Sequence, residues 1–290
     1  MSEKIGLVLE GGGMRGAYTA GALAWLNDHH ITFDYSVGIS SGAVYLSCFL
    51  VNDKHTPYNM SVYYASSDEC VGLKAFQKEG YYVAYKYIFE ECLLAKEHMD
   101  IRPLIENPEV IMEVGAYDLS QGKTVYFNNH ELDPELVLLR GTCALPVASA
   151  VVEYKGRRLL DGGITKMIPI ERALEQGCTK CMVITTKPKD YVRKPASPIV
   201  KFLMKQMYKE CPQAAKDYEV RHINYYRQMD IIRKLVEDGK GIYILPSENV
   251  KVSRFHGDVK NTKKLYSLGY RDMEARKEEI FRFLGKEENS

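Results

Sequence analysis

The sequence predicts an α/β protein with a mostly parallel central sheet. KIGLVLE (4–10) has the pattern of a strand, AYTAGALAWLNDHH (17–30) that of a helix and FDYSVG (33–38) that of a second strand. A strand, a helix and a strand in this order form a βαβ unit, whose two strands are parallel. Further strand-like runs occupy 109–118, 124–128, 151–161, 180–186 and 241–246, and Gln-Gly-Lys between the first two of these predicts a hairpin.

Length and composition are typical of one large globular domain. The chain has 290 residues, of which 46% are hydrophobic and 27% are charged, and its formal net charge of +1 gives no general attraction for nucleic acid. Helical runs rich in Tyr, Met and Lys interrupt the core at 57–99 and 196–237. We therefore expect a single domain over 1–290, with its core motifs in about 5–186 and an extension of helices and a strand in about 187–285. The oligomeric state is left open.

The amino terminus and the cysteines indicate a cytoplasmic protein. The start MSEKIGLVLEGGG lacks the features of a signal peptide, and no apolar run is long enough to span a bilayer. Seven cysteines, an odd number, favour reduced thiols over a disulfide framework. Cys178 and Cys181 form a C-x-x-C pair without a second pair or a nearby histidine, so neither a redox nor a metal role is expected.

The glycine-rich loop in LVLEGGGMRGAY (7–18) is compatible with two chemistries. Gly11, Gly13 and Gly16 have the G-x-G-x-x-G spacing that binds a dinucleotide pyrophosphate after a strand, but the same amides could bind an oxyanion. A Rossmann domain needs an acidic residue at the far end of its second strand. Asp34 instead begins that strand, which weakens the dinucleotide interpretation.

Two further motifs suggest a serine hydrolase. The second strand ends in VGISSGA, where Gly38, Ser40 and Gly42 give the G-x-S-x-G pattern of a nucleophile elbow. The run LLDGGITKMIP (159–169) ends a later strand at Asp161. If that strand is parallel to the first two, Asp161 lies at the same carboxyl edge as Ser40 and the glycine loop. Each motif alone is common, because Ser-Ser-Gly also caps helices and Asp-Gly-Gly also forms turns.

In this order, the three motifs resemble those of the patatin-like phospholipase family, serine acyl hydrolases of the bacterial type. The matching residues are Gly11-Gly12-Gly13-Met14-Arg15-Gly16, Gly38-Ile39-Ser40-Ser41-Gly42 and Asp161-Gly162-Gly163. The resemblance implies a three-layer α/β/α fold, modified from that of the α/β-hydrolases, with helical insertions. It also implies hydrolysis of phospholipids, lysophospholipids or neutral acyl esters, with no metal or organic cofactor.

The resemblance also implies roles for individual residues. Ser40 is the nucleophile and Asp161 the proton acceptor, without a histidine. The amides of Gly12 and Gly13 form the oxyanion hole, and Gly11 shapes the turn. Supporting positions are Arg15, Gly38, Gly42, Gly162 and Gly163; Arg15 orients the loop, contacts a lipid phosphate or is simply a solvated arginine at a helix start.

Three alternatives remain open at this point. A Ser-Asp-His triad would use His222 or His256, both of which follow Asp161 in the chain. A nucleotide-binding module would use GGGMRG as a phosphate loop, although the Lys-Ser/Thr ending of a P-loop is missing. The third alternative is a lipid-binding protein without catalysis.

The sequence also offers one candidate for peripheral membrane contact. In ASPIVKFLMKQMYK (196–209), Lys201, Lys205 and Lys209 recur at intervals of four beside apolar residues. A basic stripe next to an apolar one is typical of helices that lie at a membrane surface, and also of ordinary solvated helices.

Overall fold

The computed structural model describes residues 3–286 and contains one eight-stranded mixed sheet. Its strands are β1 Ile5–Leu9, β2 Tyr35–Ile39, β3 Met112–Asp118, β4 Lys123–Asn128, β5 Val152–Tyr154, β6 Arg157–Asp161, β7 Lys180–Ile184 and β8 Gly241–Ile244. Neighbours in the series β8, β7, β1, β2, β3 are parallel, whereas β4 and β6 are antiparallel to β3, and β5 is antiparallel to β6. The predicted α/β fold with a mostly parallel sheet is confirmed. The ends of the predicted 1–290 domain, residues 1–2 and 287–290, lie outside the described residues.

Helices fill most of the connections between strands. They are α1 Ala17–Asp28, α2 Ser41–Leu50, α3 His55–Asn59, α4 Leu73–Glu79, α5 Arg102–Glu106, α6 Val137–Cys143, α7 Ile170–Glu175, α8 Pro198–Met207, α9 Pro212–Glu219, α10 Arg221–Glu237, α11 Val259–Ala275 and α12 Lys277–Leu284. Two π-helical segments, Met60–Tyr64 and Tyr87–Lys96, lie in the first predicted helical insertion. Within residues 3–286, none of the helices has the length and apolar character needed to cross a membrane.

Side chains on both faces of the sheet are buried under helices. Successive residues of a strand point to opposite faces. Leu7 and Leu9 of β1 pack in a core with side chains of α1, α2 and α11, whereas Val8 packs in a second core with side chains of α7 and α10. This arrangement is the three-layer α/β/α architecture that the resemblance implied.

The carboxyl ends of β2 and β6 meet along one edge of β3. Because β4 pairs with β3 from Glu113 to Asp118, β2 and β6 share the opposite edge. There, β2 ends with Ile39 opposite Gly115, and β6 ends with Asp161 opposite Ala116. The Asp161 strand is antiparallel to the first two strands, so the parallel direction considered from the sequence is wrong. β3 continues past the end of β2, and β6 runs back along this continuation, so Asp161 reaches the edge from the opposite direction.

The predicted strand 151–161 is in fact a hairpin of β5 and β6. Lys155 and Gly156 connect the two strands with φ values of 47° and 75°. Two successive residues with positive φ are characteristic of a type I′ turn. The hairpin predicted at Gln-Gly-Lys is confirmed between β3 and β4.

Helix α11 packs directly against α1 through a pair of glycines. A Cβ on Gly21 of α1 would lie 1.9 Å from the carbonyl oxygen of Tyr266, and a Cβ on Gly269 of α11 would lie 2.1 Å from that of Tyr18. A side chain at either position would collide with the backbone of the other helix, which shows that the two helix backbones are in contact. The C-terminal extension is therefore packed tightly onto the first helix of the core.

Candidate active site

Ser40 occupies a strained turn between β2 and α2. Its φ of 55° and ψ of −133° lie in a region that residues with a side chain rarely adopt. The Ser40 amide donates a hydrogen bond to Thr142 Oγ1 (2.9 Å), and that hydroxyl donates to the carbonyl of Gly115 (2.5 Å). Thr142 thus links the serine turn to β3.

Two glycines allow this turn to form. A Cβ on Gly38 would lie 2.7 Å from the backbone nitrogen of Ala43, and a Cβ on Gly42 would lie 2.7 Å from the carbonyl oxygen of Glu10. Both contacts are with backbone atoms, which cannot move aside as a flexible side chain can. The G-x-S-x-G spacing therefore reflects close approach of the chain on both sides of Ser40.

Asp161 is the last residue of β6, reaches the same edge of β3 from the opposite direction to Ser40, and leads into the turn Gly162–Ile164. It is 4% exposed, and its Oδ1 accepts a hydrogen bond from the Gly163 amide at 2.7 Å. A Cβ on Gly162 would lie 2.5 Å from the carbonyl oxygen of Gly115, and one on Gly163 would lie 2.8 Å from Asp161 Oδ1. The buried Arg221 donates from Nε to the carbonyl of Gly163 at 2.6 Å. α10 thereby holds the turn that follows Asp161.

The glycine loop offers fewer free amides than its sequence suggests. The Gly11 amide donates to the carbonyl of Met167 (3.2 Å), and the Gly12 amide donates to Ser41 Oγ (3.0 Å). Gly13, with φ of 58°, opens the short 3-10 helix Gly13–Gly16, and the first amides of such a helix have no acceptor within it. Of the three, Gly13 is therefore the amide best placed to donate to a ligand.

The side of Gly12 that would carry a Cβ faces the protein. That atom would lie 2.8 Å from Thr186 Oγ1. The amide and hydroxyl of Thr186 both donate to Glu10, which also accepts a hydrogen bond from the buried Lys187. The glycine at position 12 is thus required by packing against this buried polar group.

The three motifs meet around one small cavity of about 20 Å³. It is lined by Gly11, Gly12, Gly13, Ser40, Leu145, Asp161, Gly163, Met167, Arg221 and Arg254. Its volume suits a single water molecule. Within the described residues, no hydrogen bond joins the Ser40 hydroxyl to Asp161; Ser40 contacts the thiol of Cys143 instead. Catalytic hydrogen bonds are often formed only once substrate is bound.

An apolar cavity of about 40 Å³ opens on the other side of Ser40. Its wall includes Tyr45, Met60, Val83, Tyr85, Ile88, Cys143, Leu145 and Phe255. Ligand pockets usually have several hundred Å³. An acyl chain therefore fits here only after some of these side chains have moved.

Neither candidate histidine lines the cavity that contains Ser40 and Asp161. His222 lies at the start of α10, in a neighbouring cavity, and its Nδ1 is buried without a partner in the described part of the chain. His256 is exposed, in the loop before α11. Arg15 also lies outside the Ser40 cavity, with its guanidinium 5.6 Å from the centre of the Tyr191 ring.

Comparisons with known proteins identify the family of this chain. The model of the patatin-like phospholipase family matches residues 7–174, which include all three motifs. The chain belongs to the patatin-like phospholipase family. A second model, a domain of unknown function named DUF6363, matches residues 211–285 of this patatin-like protein. Across residues 3–286, no cluster of three or more His, Cys, Asp or Glu side chains is arranged to hold a metal ion.

Two curated proteins are similar to the patatin-like chain. "Uncharacterized protein YjjU" of Escherichia coli (strain K12) is 28% identical over 199 residues, or 64% of this chain and 52% of that protein. "Probable lipid hydrolase 463L" of Invertebrate iridescent virus 6 is 26% identical over 185 residues, or 58% and 63% respectively. The matches thus span between about half and two thirds of the relatives' lengths.

One solved structure supports the patatin-like fold. The crystal structure of VipD from Legionella pneumophila aligns with 94% of this chain and 66% of its own, with a TM-score of 0.50 and 12% identity. At this identity the similarity concerns the fold alone.

The structure also reveals residues that no motif indicated. Thr142, Arg221 and Arg254 contact or border the site, but they lie in sequence segments without a recognisable pattern. Only the folded positions of α6, α10 and the loop before α11 bring them together, so the sequence carried no signal for them.

Proposed function

We propose that the protein is a serine-dependent lipid acyl hydrolase that cleaves carboxylic esters of phospholipids or lysophospholipids through a Ser40–Asp161 dyad. The observation that carries the proposal is that Ser40, Asp161 and the glycine loop line one cavity. Membership of the patatin-like phospholipase family and the printed name of the viral relative add support.

In the proposed reaction, Ser40 Oγ attacks the acyl carbonyl carbon while the Asp161 carboxylate accepts the hydroxyl proton. The negative oxygen of the tetrahedral intermediate accepts a hydrogen bond from the Gly13 amide; the Gly12 amide joins it if the Ser41 hydroxyl moves away. Collapse of the intermediate releases the lipid alcohol, which takes the proton from Asp161. Water then gives a proton to Asp161 and attacks the acyl-serine ester; as the C–O bond to Ser40 breaks, Asp161 returns this proton to Ser40 Oγ and the fatty acid is released.

The positions of the histidines support a dyad over a triad. A histidine that activates a serine must lie within hydrogen-bonding reach of its hydroxyl. His222 and His256 line none of the wall around Ser40, while Asp161 does. The strained φ of Ser40 also supports a catalytic role, because backbone strain concentrates at functional sites.

We also propose that residues 1–290 act as one patatin-like domain that contacts membranes peripherally. The direct backbone contact between α1 and α11 supports the first part. Exposed apolar side chains of α8 support the second, since they can enter a lipid interface.

A serine-directed fluorophosphonate probe and a lipid panel test the proposed function. The wild-type protein should be labelled and should release fatty acid from phospholipids, as detected by mass spectrometry, whereas Ser40→Ala should do neither. An unlabelled wild type that binds NAD or ATP saturably would instead support the nucleotide-binding alternative. Labelling without turnover of any lipid or short ester would support a lipid-binding protein.

A further inference from the structure

A third, more open cavity of about 400 Å³ adjoins the candidate active site and is strongly basic. We call this cavity the arginine pocket, because its cationic lining residues are Arg15, Arg193, Lys194, Arg221 and Arg254. Among the described residues, no aspartate or glutamate lines it. Like charges this close together repel one another. An anion that enters the pocket is attracted by all of them and offsets this repulsion.

Some polar groups of this pocket lack partners, although Arg221 donates hydrogen bonds to the carbonyl of Gly163 and to the hydroxyl of Tyr218. In residues 3–286, none of its arginines is within 4.0 Å of a carboxylate oxygen, although such pairs are frequent elsewhere in the chain. Arg15 Nε and His222 Nδ1 are buried without a hydrogen-bond partner. Buried donors without partners are costly and therefore rare in folded proteins. The pocket thus has unused hydrogen-bonding capacity as well as uncompensated charge.

The ionisation of neighbouring groups reflects the positive potential. Burial, followed by the charge of Arg254, lowers the pKa of Arg221 to about 9. Although burial raises the pKa of Tyr218, the charges of Arg221, Arg254 and Arg193 bring it below its ordinary value. Two carboxylates act on these arginines from outside the pocket: Glu10, which is hydrogen-bonded to Lys187, raises the pKa of Arg15, and Asp161 in the adjacent cavity raises that of Arg221, although burial lowers both pKa values overall.

The arginine pocket lies next to the candidate active site and shares part of its wall. Arg221 and Arg254 line both the pocket and the cavity that contains Ser40 and Asp161. A lipid whose acyl carbonyl lies at Ser40 can therefore extend its headgroup past these two arginines. The acyl chain would occupy the other cavity beside Ser40, whose lining is mostly apolar although it includes Arg254.

We propose that the arginine pocket binds the phosphate of the substrate lipid and selects lipids with a terminal phosphate monoester; this inference rests on the proposed hydrolase function. Guanidinium groups bind phosphate oxygens through paired hydrogen bonds, and a phosphate monoester carries up to two negative charges. A phosphocholine headgroup brings a cation into the same potential and is disfavoured. A neutral monoacylglycerol gains nothing from the pocket.

Turnover of three substrates with one acyl chain tests the selection. We expect kcat/KM to decrease from lysophosphatidic acid to lysophosphatidylcholine and monoacylglycerol. Arg193→Gln should reduce the ratio of kcat/KM for lysophosphatidic acid to that for monoacylglycerol by about tenfold or more, the usual effect of one charged hydrogen bond. Arg227→Gln, the same charge change at an exposed position of α10, should keep the wild-type ratio. Equal kcat/KM for the three substrates, or an unchanged ratio in Arg193→Gln, would overturn the inference.

A binding measurement separates this inference from the proposed function. Inorganic phosphate should bind the full-length Ser40→Ala protein in calorimetry, and Arg193→Gln introduced into it should weaken this binding by a similar factor. If the wild type hydrolyses monoacylglycerol but neither substrate selection nor phosphate binding is found, only the pocket assignment fails. If no ester is cleaved, the proposed function fails and the headgroup assignment with it. Phosphate binding without any effect of Arg193→Gln on the substrate ratio would mean that the pocket holds free phosphate, which contradicts a headgroup site.

Discussion

Ile39, the residue before Ser40, and Asp161 pair with adjacent residues along one edge of β3. Ile39, which precedes Ser40, pairs with Gly115 of β3, and Asp161 pairs with the next residue, Ala116. The two candidate catalytic side chains therefore share one rigid support, although 121 positions separate them in the chain (161 − 40).

The first prediction concerns this pair. Ser40→Ala removes the nucleophile and Asp161→Asn removes the proton acceptor, so each should lower kcat for ester hydrolysis by at least about a thousandfold. His222→Ala and His256→Ala should retain most of the wild-type activity. Circular dichroism melting of all four variants controls for folding. A folded His256→Ala as inactive as Ser40→Ala would show that Asp161 only orients an imidazole.

The second prediction concerns the backbone strain at Ser40. A residue with a side chain in this conformation costs about 1–3 kcal/mol, and glycine relieves the cost while it adds up to about 1 kcal/mol of unfolded-state entropy. Ser40→Gly should therefore be inactive yet more stable than Ser40→Ala by about 1 kcal/mol. Urea unfolding of both variants measures the difference. A Ser40→Gly protein that is less stable than Ser40→Ala would mean that the turn is not strained.

The third prediction tests Thr142 as the support of Ser40. Thr142→Val keeps the shape of the side chain but leaves the Ser40 amide and the Gly115 carbonyl without partners, since both are bonded to Oγ1. The free energy of unfolding should fall by about 2 kcal/mol or more, and kcat should fall with it. Thr142→Ser keeps the hydroxyl and should restore most of the activity. Equal losses in the valine and serine variants would assign the effect to packing alone.

The fourth prediction is a dependence of stability on pH that arises from Lys187. Burial lowers the pKa of Lys187 to about 7, with the charges of Arg193 and Arg15 acting in the same direction and Glu10 opposing them. Between about pH 7 and the ordinary lysine value, the unfolded chain binds more protons here than the folded chain, so stability rises with pH. Titration of Lys187 raises the free energy of unfolding by at most about 1.4 kcal/mol per pH unit.

Urea unfolding from pH 7 to 9.5 measures the Lys187 effect. Lys187→Met removes it but leaves the buried Glu10 without its counter-charge, a loss that can prevent folding. The double variant Glu10→Gln/Lys187→Met removes both charges and is the better comparison. If the double variant and the wild type show the same slope over this range, Lys187 does not titrate as described.

The fifth prediction concerns membrane contact by α8. Ile199 and Phe202 are 72% and 60% exposed, whereas Lys205 is paired with Glu219 and Lys209 lies beyond the end of the helix. The apolar residues are therefore the better probe. Ile199→Ser/Phe202→Ser should weaken binding to anionic phospholipid vesicles by about tenfold or more, because two large apolar side chains no longer enter the interface.

Controls for α8 use a second exposed apolar side chain and a soluble substrate. Ile111, which is 48% exposed, lies just before β3 at the amino ends of the parallel strands, away from the candidate site. Ile111→Ser should bind vesicles as the wild type does. Charge reversal of Lys201, Lys205 and Lys209 should also weaken vesicle binding and spare hydrolysis of a short soluble ester. Unchanged vesicle binding in the serine double variant would remove α8 from membrane contact.

Features that depend on local sequence were predictable. The βαβ unit, the hairpin of β3 and β4, and the serine turn after β2 follow from periodicity and glycine spacing within about fifty residues. The three motifs also indicated which parts of the chain would come together. These features result from short-range sterics, which a single sequence records well.

Features that depend on long-range pairing were not predictable. The direction of β6 is set by the continuation of β3 beyond β2, and nothing in the Asp161 segment itself encodes that length. Gly12 was expected to contribute its amide to an oxyanion hole, yet a glycine is required there because a Cβ would meet Thr186. The arginine pocket combines one residue of the glycine loop with three C-terminal segments whose charges look like ordinary surface positions.

The contact between Gly21 and Gly269 has a consequence for how such a protein can diversify. The two family models suggest interchangeable modules, one over 7–174 and one over 211–285. Yet Gly269 of the second region touches the backbone of α1 in the first, and most cationic side chains of the arginine pocket come from residues 193–254. Recombination that imports a foreign C-terminal segment must bring a small residue that packs against α1, or the fold is lost. The same exchange replaces the residues of the original headgroup site. Stability and substrate choice are therefore inherited as a single unit.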